Sequence, residues 1–313
     1  MKLFINPTDH RLRAGWRLLI HSLLVVLITL IMGSGLLLLN TLIKGANIAF
    51  LQEGSIAANS SLTLYSEFAF ACGVTFATFI ARRWLDRRSF LSLGFYFKWK
   101  AILEILIGIL IAGTMMGFIY ILEWGLGWID FQGYGWQFLD SRKLFTDCGL
   151  VFILFILVGW TEELLSRGYH LQTLSEGLNR TWGVILSALI FALLHQDNPA
   201  FSISAFIGLF ISGLFFCYAY YQRMNLWLPI GIHIGWNFFE GTVFGFQVSG
   251  LTDLPRLIYQ STKGINIVTG GAFGPEAGLI LLPALLLGVL LIRLWGKSEF
   301  VNNPSPQADT HLG

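Results

Sequence analysis

The chain has 313 residues, of which 55% are hydrophobic, 15% are aromatic and only 12% are charged. Soluble domains carry a charged share of about 25%, and the mean hydropathy of +0.67 is also that of a membrane protein. A net charge of +2, with Lys and Arg divided among several loops, excludes a basic nucleic-acid binder. Three scattered cysteines without a Cys-x-x-Cys pair exclude a disulfide framework.

Apolar stretches recur along the whole chain. About 20 apolar residues cross the hydrocarbon core of a bilayer as a helix, so the sequence predicts an all-α polytopic membrane protein with about eight such helices. Polar residues interrupt the fourth and fifth stretches, and the fourth is expected to extend past Glu162. The predicted spans are 18–39, 62–81, 102–122, 148–161, 182–195, 201–221, 226–246 and 279–294.

Lys and Arg concentrate in every second connection, beginning with the N-terminus and the segment 82–100. By the positive-inside rule, both termini are predicted to be cytoplasmic. The segment 82–100 mixes arginines with aromatic residues, which predicts an interfacial helix on the cytoplasmic face. We divide the chain into N-terminal membrane helices (1–147), catalytic helices (148–250), a loop with the last helix (251–295) and a disordered tail (296–313).

Ionisable residues inside a span are costly, so each is a hypothesis of function. His21, Glu67 and Glu104 lie near predicted span ends, where a side chain can reach water or headgroups. Three other clusters have no such explanation.

The first cluster is Glu162-Glu163-Leu164-Leu165-Ser166-Arg167. Adjacent helical residues point about 100° apart, so the two carboxylates cannot share a face. Glu163 and Arg167 are spaced i, i+4 with the acid first, which favours an ion pair. Glu162 is left on another face without a cation, as a general base requires. Taken alone, the cluster is equally typical of a salt-bridged helix end at the interface.

The second and third clusters each place two side chains at i, i+4. Phe191 precedes His195 at the end of the fifth span, and His233 precedes Asn237 in the seventh. Taken alone, His195 is also typical of a loop residue, and a His–Asn pair can also join two helices. Around His233 the glycines form two G-x-x-x-G pairs, which allow close approach of a neighbouring helix; they are Gly231 with Gly235 and Gly241 with Gly245.

Together the clusters have the chemistry of peptide hydrolysis. Glu162 with His195 can deprotonate a water, while His233 and Asn237 can donate to the developing oxyanion. Counting 1.5 Å per residue puts Glu162 and His233 in the cytoplasmic third of the core, with His195 about 10 Å away. Convergence therefore requires a tilted or deeply starting fifth helix, or a re-entrant segment after Arg167.

The three motifs Glu-Glu-x-x-x-Arg (162–167), Phe-x-x-x-His (191–195) and His-x-x-x-Asn (233–237) resemble those of one family. It is the CPBP family of CAAX proteases and bacteriocin-processing enzymes, also called type II CAAX prenyl endopeptidases or the Abi family. The resemblance covers 148–250, about a third of the chain, and weaker similarity continues through 270–276.

The resemblance implies an intramembrane endopeptidase. By motif position it makes Glu162 the water-activating residue assisted by His195, His233 and Asn237 the oxyanion hole, and Glu163 and Arg167 supporting residues. We favour a metal-free glutamate mechanism with no cofactor. The alternative is zinc held by Glu162, His195 and His233, although no carboxylate is evident that would hold the second ring nitrogen of either histidine.

Two other functions remain open at this stage: a non-catalytic membrane scaffold or chaperone, and a transporter, in which polar residues near the midplane are also typical. A transporter is disfavoured because the two halves of the chain do not repeat. The expected partners are the lipid bilayer and a peptide or membrane protein, prenylated or not. The sequence does not distinguish prenylated C-termini from leader peptides or membrane-anchored regulators.

Overall fold

The computed structural model describes residues 4–7, 10–44 and 56–297. The fold is 73% helical, which confirms the all-α polytopic class. Within the described residues, five helices are long and apolar enough to cross a membrane, so the predicted number of about eight spans is not confirmed. The fifth, seventh and eighth predicted spans correspond to helices of 14, 11 and 16 residues. From residue 298 onward, the predicted disordered tail lies outside the described residues.

Three of the described helices continue as a wider π-helical turn. The turns are Ala81–Leu85 after α2, Leu164–His170 after α5 and Phe238–Val243 after α9. Two short 3-10 turns lie at Phe90–Leu93 and Pro275–Ala277. The helices are α1 (Ala14–Lys44), α2 (Ile56–Ile80), α3 (Trp99–Gly125), α4 (Gly135–Phe138), α5 (Ser141–Glu163), α6 (Leu171–Gly177), α7 (Arg180–Leu193), α8 (Ile203–Arg223), α9 (Trp227–Asn237), α10 (Asn266–Thr269) and α11 (Leu281–Gly296).

Helix α9 lies at the centre of the bundle. All eleven of its residues are buried, as expected for a helix that is apolar on all sides. On one side it contributes Ile232 and Trp236 to a core shared with α3, α8 and α11. On the other side Ile230 and Ile234 join a core shared with α1, α2 and the segment after α5. Side chains on α9 are therefore held by packing from both sides.

Glycines allow two neighbouring helices, α3 and α5, to approach α9 closely. A Cβ added to Gly231 would lie 2.3 Å from the carbonyl oxygen of Ile105 in α3, so only glycine fits this contact. A Cβ on Gly159 of α5 would lie 2.8 Å from Cγ1 of Ile234. The predicted close approach of a helix at Gly231 and Gly235 is thus confirmed, and α5 is brought against α9 at the level of the first polar motif.

The second glycine pair has a different role. Gly241 faces Val248 of the following loop, and Gly245, at φ +72, lies against the carbonyl of Ile258. The prediction of a second helix contact there is wrong, because Gly241 in the π-helical turn packs on the following loop and Gly245 lies beyond that turn. This end of the bundle is covered by an antiparallel two-stranded ribbon, β1 (Ile129–Tyr134) with β2 (Ile258–Thr262).

The segment 82–100 is not an interfacial helix, which corrects the prediction. Arg82 is only 1% exposed and forms an ion pair with Asp86 at 3.0 Å. Arg87 then takes a left-handed conformation at φ 55, which ends the helix, and Phe95 is buried in the core. Arg82 is neutralised and Phe95 is inside, while Trp84 and Phe97 are exposed. The chain is broken into a π-helical turn and a 3-10 turn, so it forms no continuous helix for the headgroup region.

Two polar residues assigned to hydrated span ends are buried. His21 has no exposed surface, hydrogen-bonds Thr78 at 3.0 Å and stacks on Tyr169 with ring centroids 3.9 Å apart. Glu104 is 2% exposed and is paired with Arg223. Glu104 and Nε2 of His21 have protein partners, whereas Nδ1 of His21 is buried without a partner among the described residues. Access to water is therefore not what permits these side chains in the helices.

Candidate active site

The carboxylate of Glu162 faces two histidines. Its Oε2 lies 3.6 Å from Nε2 of His195 and 3.8 Å from Nε2 of His233. Both distances exceed a direct hydrogen bond, and Oε2 has no hydrogen-bond partner among the described residues. The Glu162 side chain is 26% exposed. The structure therefore brings together three of the predicted catalytic residues, one from each motif, around a common space.

Their convergence depends on the length of the helix that carries Glu162. The helix continues from α5 through Leu164–His170 into α6 and ends at Gly177. At the helical rise, this end lies about 22 Å from Glu162 along the helix axis. Helix α7 then returns antiparallel from Arg180, and its end brings His195 level with Glu162. The predicted separation of about 10 Å is wrong, because Glu162 lies well inside a long continuous helix and not near its inner end.

Glu163 points away from the cavity, as the helical spacing predicted. Its Oε1 accepts a hydrogen bond from Arg167 at 3.0 Å, which confirms the predicted ion pair. The same oxygen lies 2.8 Å from Nδ1 of His233. Neither Glu163 nor Arg167 has exposed surface. Sequence reasoning missed the contact to His233, since it joins two helices 70 residues apart.

Arg167 is held between two aromatic rings. Its guanidinium carbon lies 4.4 Å from the ring centre of Phe191 and 4.7 Å from that of Phe216, at distances typical of cation–π contacts. A further guanidinium nitrogen donates to the carbonyl of Gly213 at 3.3 Å. The phenylalanine of the second motif thus supports the arginine of the first.

A backbone carbonyl sets the tautomer of His195. Nδ1 of His195 lies 2.8 Å from the carbonyl oxygen of Phe191. A carbonyl can only accept, so Nδ1 carries the proton and Nε2 of the neutral ring is an acceptor. The i, i+4 spacing of the second motif therefore orients the ring so that its basic nitrogen faces Glu162.

The carboxylate of Glu163 has the same effect on His233. Because Glu163 already accepts from Arg167, its contact with Nδ1 requires a proton on that nitrogen. The ring is 5.1 Å from Phe216 in a stacked arrangement, which fixes its plane. Nε2 of His233 can then donate only when the ring is an imidazolium, a form that the Glu163 carboxylate stabilises.

Glu162, His195 and His233 line a cavity of about 360 Å³. Asn237 is one α-helical turn beyond His233, is 7% exposed and faces the cavity. Its amide makes no hydrogen bond to another described residue, so both its oxygen and its NH₂ group are available to a ligand. Most of the remaining lining is apolar, including Phe155, Leu209 and Leu285.

Two further carboxylates line the cavity and were not among the predicted site residues. Glu67 of α2 interacts electrostatically with Glu162 and His233. Glu276 is 7% exposed and accepts hydrogen bonds from Trp236 Nε1 at 3.1 Å and from the Ser249 hydroxyl. The sequence signals that could have indicated them are the position of Glu67 inside an apolar helix and that of Glu276 in a glycine-rich loop.

In the part of the chain that the structure describes, no group of three His, Cys, Asp or Glu side chains is arranged to hold a metal ion. The predicted zinc alternative required Glu162, His195 and His233 to act as such a group. In this structure, the three side chains are not arranged as a set of metal ligands.

Residues 144–239 match the family model of Rce1-like type II CAAX prenyl endopeptidases. No curated protein and no solved structure matches the chain. The family match, over about a third of the chain, contains all three motifs and supports the family predicted from them. Together with the apolar helices, it supports an integral membrane protein of a membrane protease family.

Proposed function

We propose that the chain is an intramembrane endopeptidase that hydrolyses a peptide bond of a membrane-associated substrate, with Glu162 as the general base. The observation that carries the proposal is the placement of Glu162 Oε2 within 3.6 and 3.8 Å of two histidine Nε2 atoms in one cavity. The family match supports the reaction class.

The first step is activation of water. The Glu162 side chain is 26% exposed, so water from the cavity can reach its carboxylate. A water held between this carboxylate and His195 Nε2 meets two acceptors, because the His195 proton is on the other nitrogen. Glu162 takes the proton as the water oxygen attacks the carbonyl carbon of the peptide bond.

The second group of residues stabilises the oxyanion. The imidazolium form of His233 donates from Nε2, and Asn237 donates from its amide, to the oxygen that gains negative charge. Glu163 compensates the positive charge on His233 at 2.8 Å, and Arg167 holds Glu163 in place. The intermediate then collapses: the C–N bond breaks, and the proton held by Glu162 passes to the leaving nitrogen.

We also propose that both termini are cytoplasmic. Arg17, Arg82 and Arg88 lie together near the start of α1, with Glu176 at the end of α6. Arg223 forms an ion pair with Glu104, and Glu104 accepts a hydrogen bond from Trp295 in the last turn of α11. Arg223 therefore lies near the end of α11. Positive charge is thus gathered at the end of the bundle where α1 begins and α11 ends, as the positive-inside rule requires of a cytoplasmic face.

Glu162→Gln is the variant that tests the reaction. It keeps the size of the side chain and removes the base. Wild-type and variant proteins are expressed at matched levels, and new peptide termini in the membrane and secreted fractions are mapped by mass spectrometry. We expect a set of termini that is absent from cells carrying the variant, and that set identifies the substrate.

The control is Glu123→Gln, which neutralises another buried carboxylate that does not line the cavity. It is expected to give the wild-type set of termini. Identical termini for wild type and Glu162→Gln, with both proteins equally abundant, would overturn the protease and favour the scaffold. Retained cleavage that depends on His233 but not on Glu162 would leave a protease with a different base.

A further inference from the structure

A second cleft, of about 490 Å³, lies beside the ribbon of β1 and β2. Among the described residues that line it, none has a carboxylate and none has an apolar side chain larger than that of alanine. The lining instead has three hydroxyl groups and the guanidinium of Arg256. It also has four carboxamides, those of Gln132, Gln247, Gln260 and Asn266. Such a lining fits a ligand that forms hydrogen bonds, and it does not fit an apolar one.

The protein itself makes little use of these polar groups. Nε2 of Gln132 donates to the Ser261 hydroxyl at 3.4 Å, and Nε2 of Gln260 donates to a main-chain carbonyl at 3.4 Å. Both distances are longer than those of a usual N–H···O bond. The carboxamides of Gln247 and Asn266 form no hydrogen bond with another described residue. The cleft therefore has donors and acceptors left for a ligand.

One wall of the cleft is the unpaired edge of β2. Gln260, Ser261 and Thr262 all line the cleft. Successive side chains of a strand point to opposite faces, so the cleft follows the edge of β2 and not one of its faces. The other edge is paired with β1, and no main-chain hydrogen bond joins residues 258–262 to a described residue outside the ribbon. Main-chain groups on this edge are therefore free to pair with a further strand.

The cleft adjoins the catalytic cavity. Gln247 lines the cleft, and the next two residues, Val248 and Ser249, line the cavity. In the same way, Gly271 lines the cleft and Glu276 lines the cavity. At about 3.3 Å per extended residue, a peptide chain held at the catalytic residues reaches the cleft within a few residues.

We propose that the cleft is a substrate-binding subsite, which holds a polar segment flanking the cleaved region as an extended strand paired with β2. The inference rests on the proposed function. Peptide groups supply alternating donors and acceptors to a strand edge, and carboxamides can bond to the polar side chains of the same segment. An apolar flank would bury these carboxamides without partners, which is unfavourable. The substrate is thus a chain with a polar, uncharged stretch close to the part that enters the catalytic cavity.

The test uses purified full-length protein in liposomes and synthetic peptides that end in farnesyl-Cys-Val-Ile-Met, a prenylated sequence of the CAAX type in the family description. Before the cysteine, each peptide carries a flank of about ten Ser, Thr, Gln and Asn residues, enough to reach the cleft at about 3.3 Å per residue. In a series of otherwise identical peptides, one main-chain nitrogen of the flank at a time carries a methyl group.

We expect the effect of methylation to alternate along the flank. Alternate N–H groups of a strand face its partner, and the methyl group removes one of these donors. At every second position of the bound stretch, KM should therefore rise about three- to tenfold, with kcat unchanged because the contact is remote from the chemistry. All methylated peptides have the same composition, so the alternation separates strand pairing from partitioning into the bilayer.

Two variants assign the effect to the cleft. Gln247→Ala and Asn266→Ala are expected to raise KM for the unmethylated peptide by about three- to tenfold, with kcat unchanged. Neither should affect a peptide whose flank is too short to reach the cleft. The control is Gln222→Ala, which removes an exposed carboxamide that does not line the cleft and should have the KM of the wild type.

A uniform effect of methylation along the flank, or no effect, would overturn the strand pairing. Unchanged KM in both Gln247→Ala and Asn266→Ala would overturn the assignment to this cleft, and neither result would overturn the protease. If no farnesylated peptide is cleaved, the same series is built on the substrate that the Glu162→Gln comparison identifies. The absence of any such substrate would overturn the proposed function itself.

Discussion

Nδ1 of His233 and Oε1 of Glu163 are 2.8 Å apart, and the same carboxylate oxygen accepts the hydrogen bond of Arg167. One oxygen atom thus connects α9 to the helix that carries Glu162. It fixes which nitrogen of His233 is protonated, and it also neutralises an arginine without solvent access. In the proposed mechanism, catalysis and stability are therefore coupled through Glu163.

Glu163→Gln is predicted to lower both stability and activity. The neutral amide leaves Arg167 buried without a counterion, which costs roughly 3–5 kcal/mol. It also weakens the imidazolium form of His233, and loss of one oxyanion donor lowers kcat by about 10² to 10³. Thermal unfolding of the purified protein in detergent and turnover of a cleaved peptide measure the two effects.

Arg167→Ala is the partner variant and is expected to give the same loss of stability, since it leaves Glu163 unpaired in turn. If either variant has the thermal stability and abundance of the wild type but no activity, the pair acts in the chemistry, and its structural role is excluded.

Local spacing was sufficient to predict the contacts within a helix. The i, i+4 rule gave the Glu163–Arg167 pair and placed Asn237 one turn from His233, and the structure has both. It also gave the contact of His195 with the residue four positions earlier, although through the carbonyl of Phe191 and not only its ring. In each case geometry inside one helix decides the result.

Contacts between helices were not predictable in the same way. The relative depth of Glu162 and His195 depends on where α5 and its continuation end, and the helix continues past Gly168, the residue after Arg167, as far as Gly177. Glu276 reaches the cavity from a turn that follows a ribbon of two strands. Its placement depends on close packing of the turn on α8, where a Cβ on Gly208 would lie 1.8 Å from the Glu276 carbonyl oxygen. A single sequence has no signal for such a contact.

Asn237→Ala is predicted to remove one oxyanion donor without unfolding the protein. The amide has no hydrogen-bond partner among described residues, so its loss leaves no protein group unsatisfied. We expect kcat to fall by about 10² to 10³, with little change in KM or in the unfolding temperature. Asn198→Ala, the same change at another asparagine of the cavity lining, should retain activity. A large drop in the unfolding temperature of Asn237→Ala would show instead that the residue joins helices.

Activity is predicted to be independent of a metal ion. Peptide turnover should be unchanged after dialysis against a strong zinc chelator, and elemental analysis should find far less than one zinc per chain. The zinc alternative makes the opposite prediction: turnover lost with the chelator and restored by Zn²⁺, and zinc content reduced in His195→Ala and His233→Ala. Because those two histidines lie at 3.6 and 3.8 Å from Glu162, the two mechanisms require the same residues and only the metal measurements separate them.

Gly231→Ala is predicted to disturb the site through the backbone. The new methyl group would meet the Ile105 carbonyl at 2.3 Å, so α3 and α9 must separate, at a cost of about 1–3 kcal/mol. The shift displaces His233, two residues further on, and should reduce kcat as well as thermal stability. Gly149→Ala in α5 has no atom within 4 Å of the added carbon and should be neutral or slightly stabilising. Equal behaviour of the two variants would contradict the close contact of α3 with α9.

Asp86→Ala is predicted to be among the most destabilising single changes outside the cavity. Asp86 pairs with Arg17 at 2.6 Å and with Arg82 at 3.0 Å, and all three side chains are almost fully buried. Its removal leaves two cations without solvent or a full set of partners, which should cost roughly 3–5 kcal/mol and lower abundance in the membrane.

The control is Asp130→Ala, which breaks an exposed pair with Lys263 and should change stability by less than about 1 kcal/mol. Turnover per folded molecule should be unchanged in both variants, since neither aspartate lines the cavity. An unfolding temperature of Asp86→Ala equal to that of the control would contradict a stabilising role of the two buried Asp86 ion pairs.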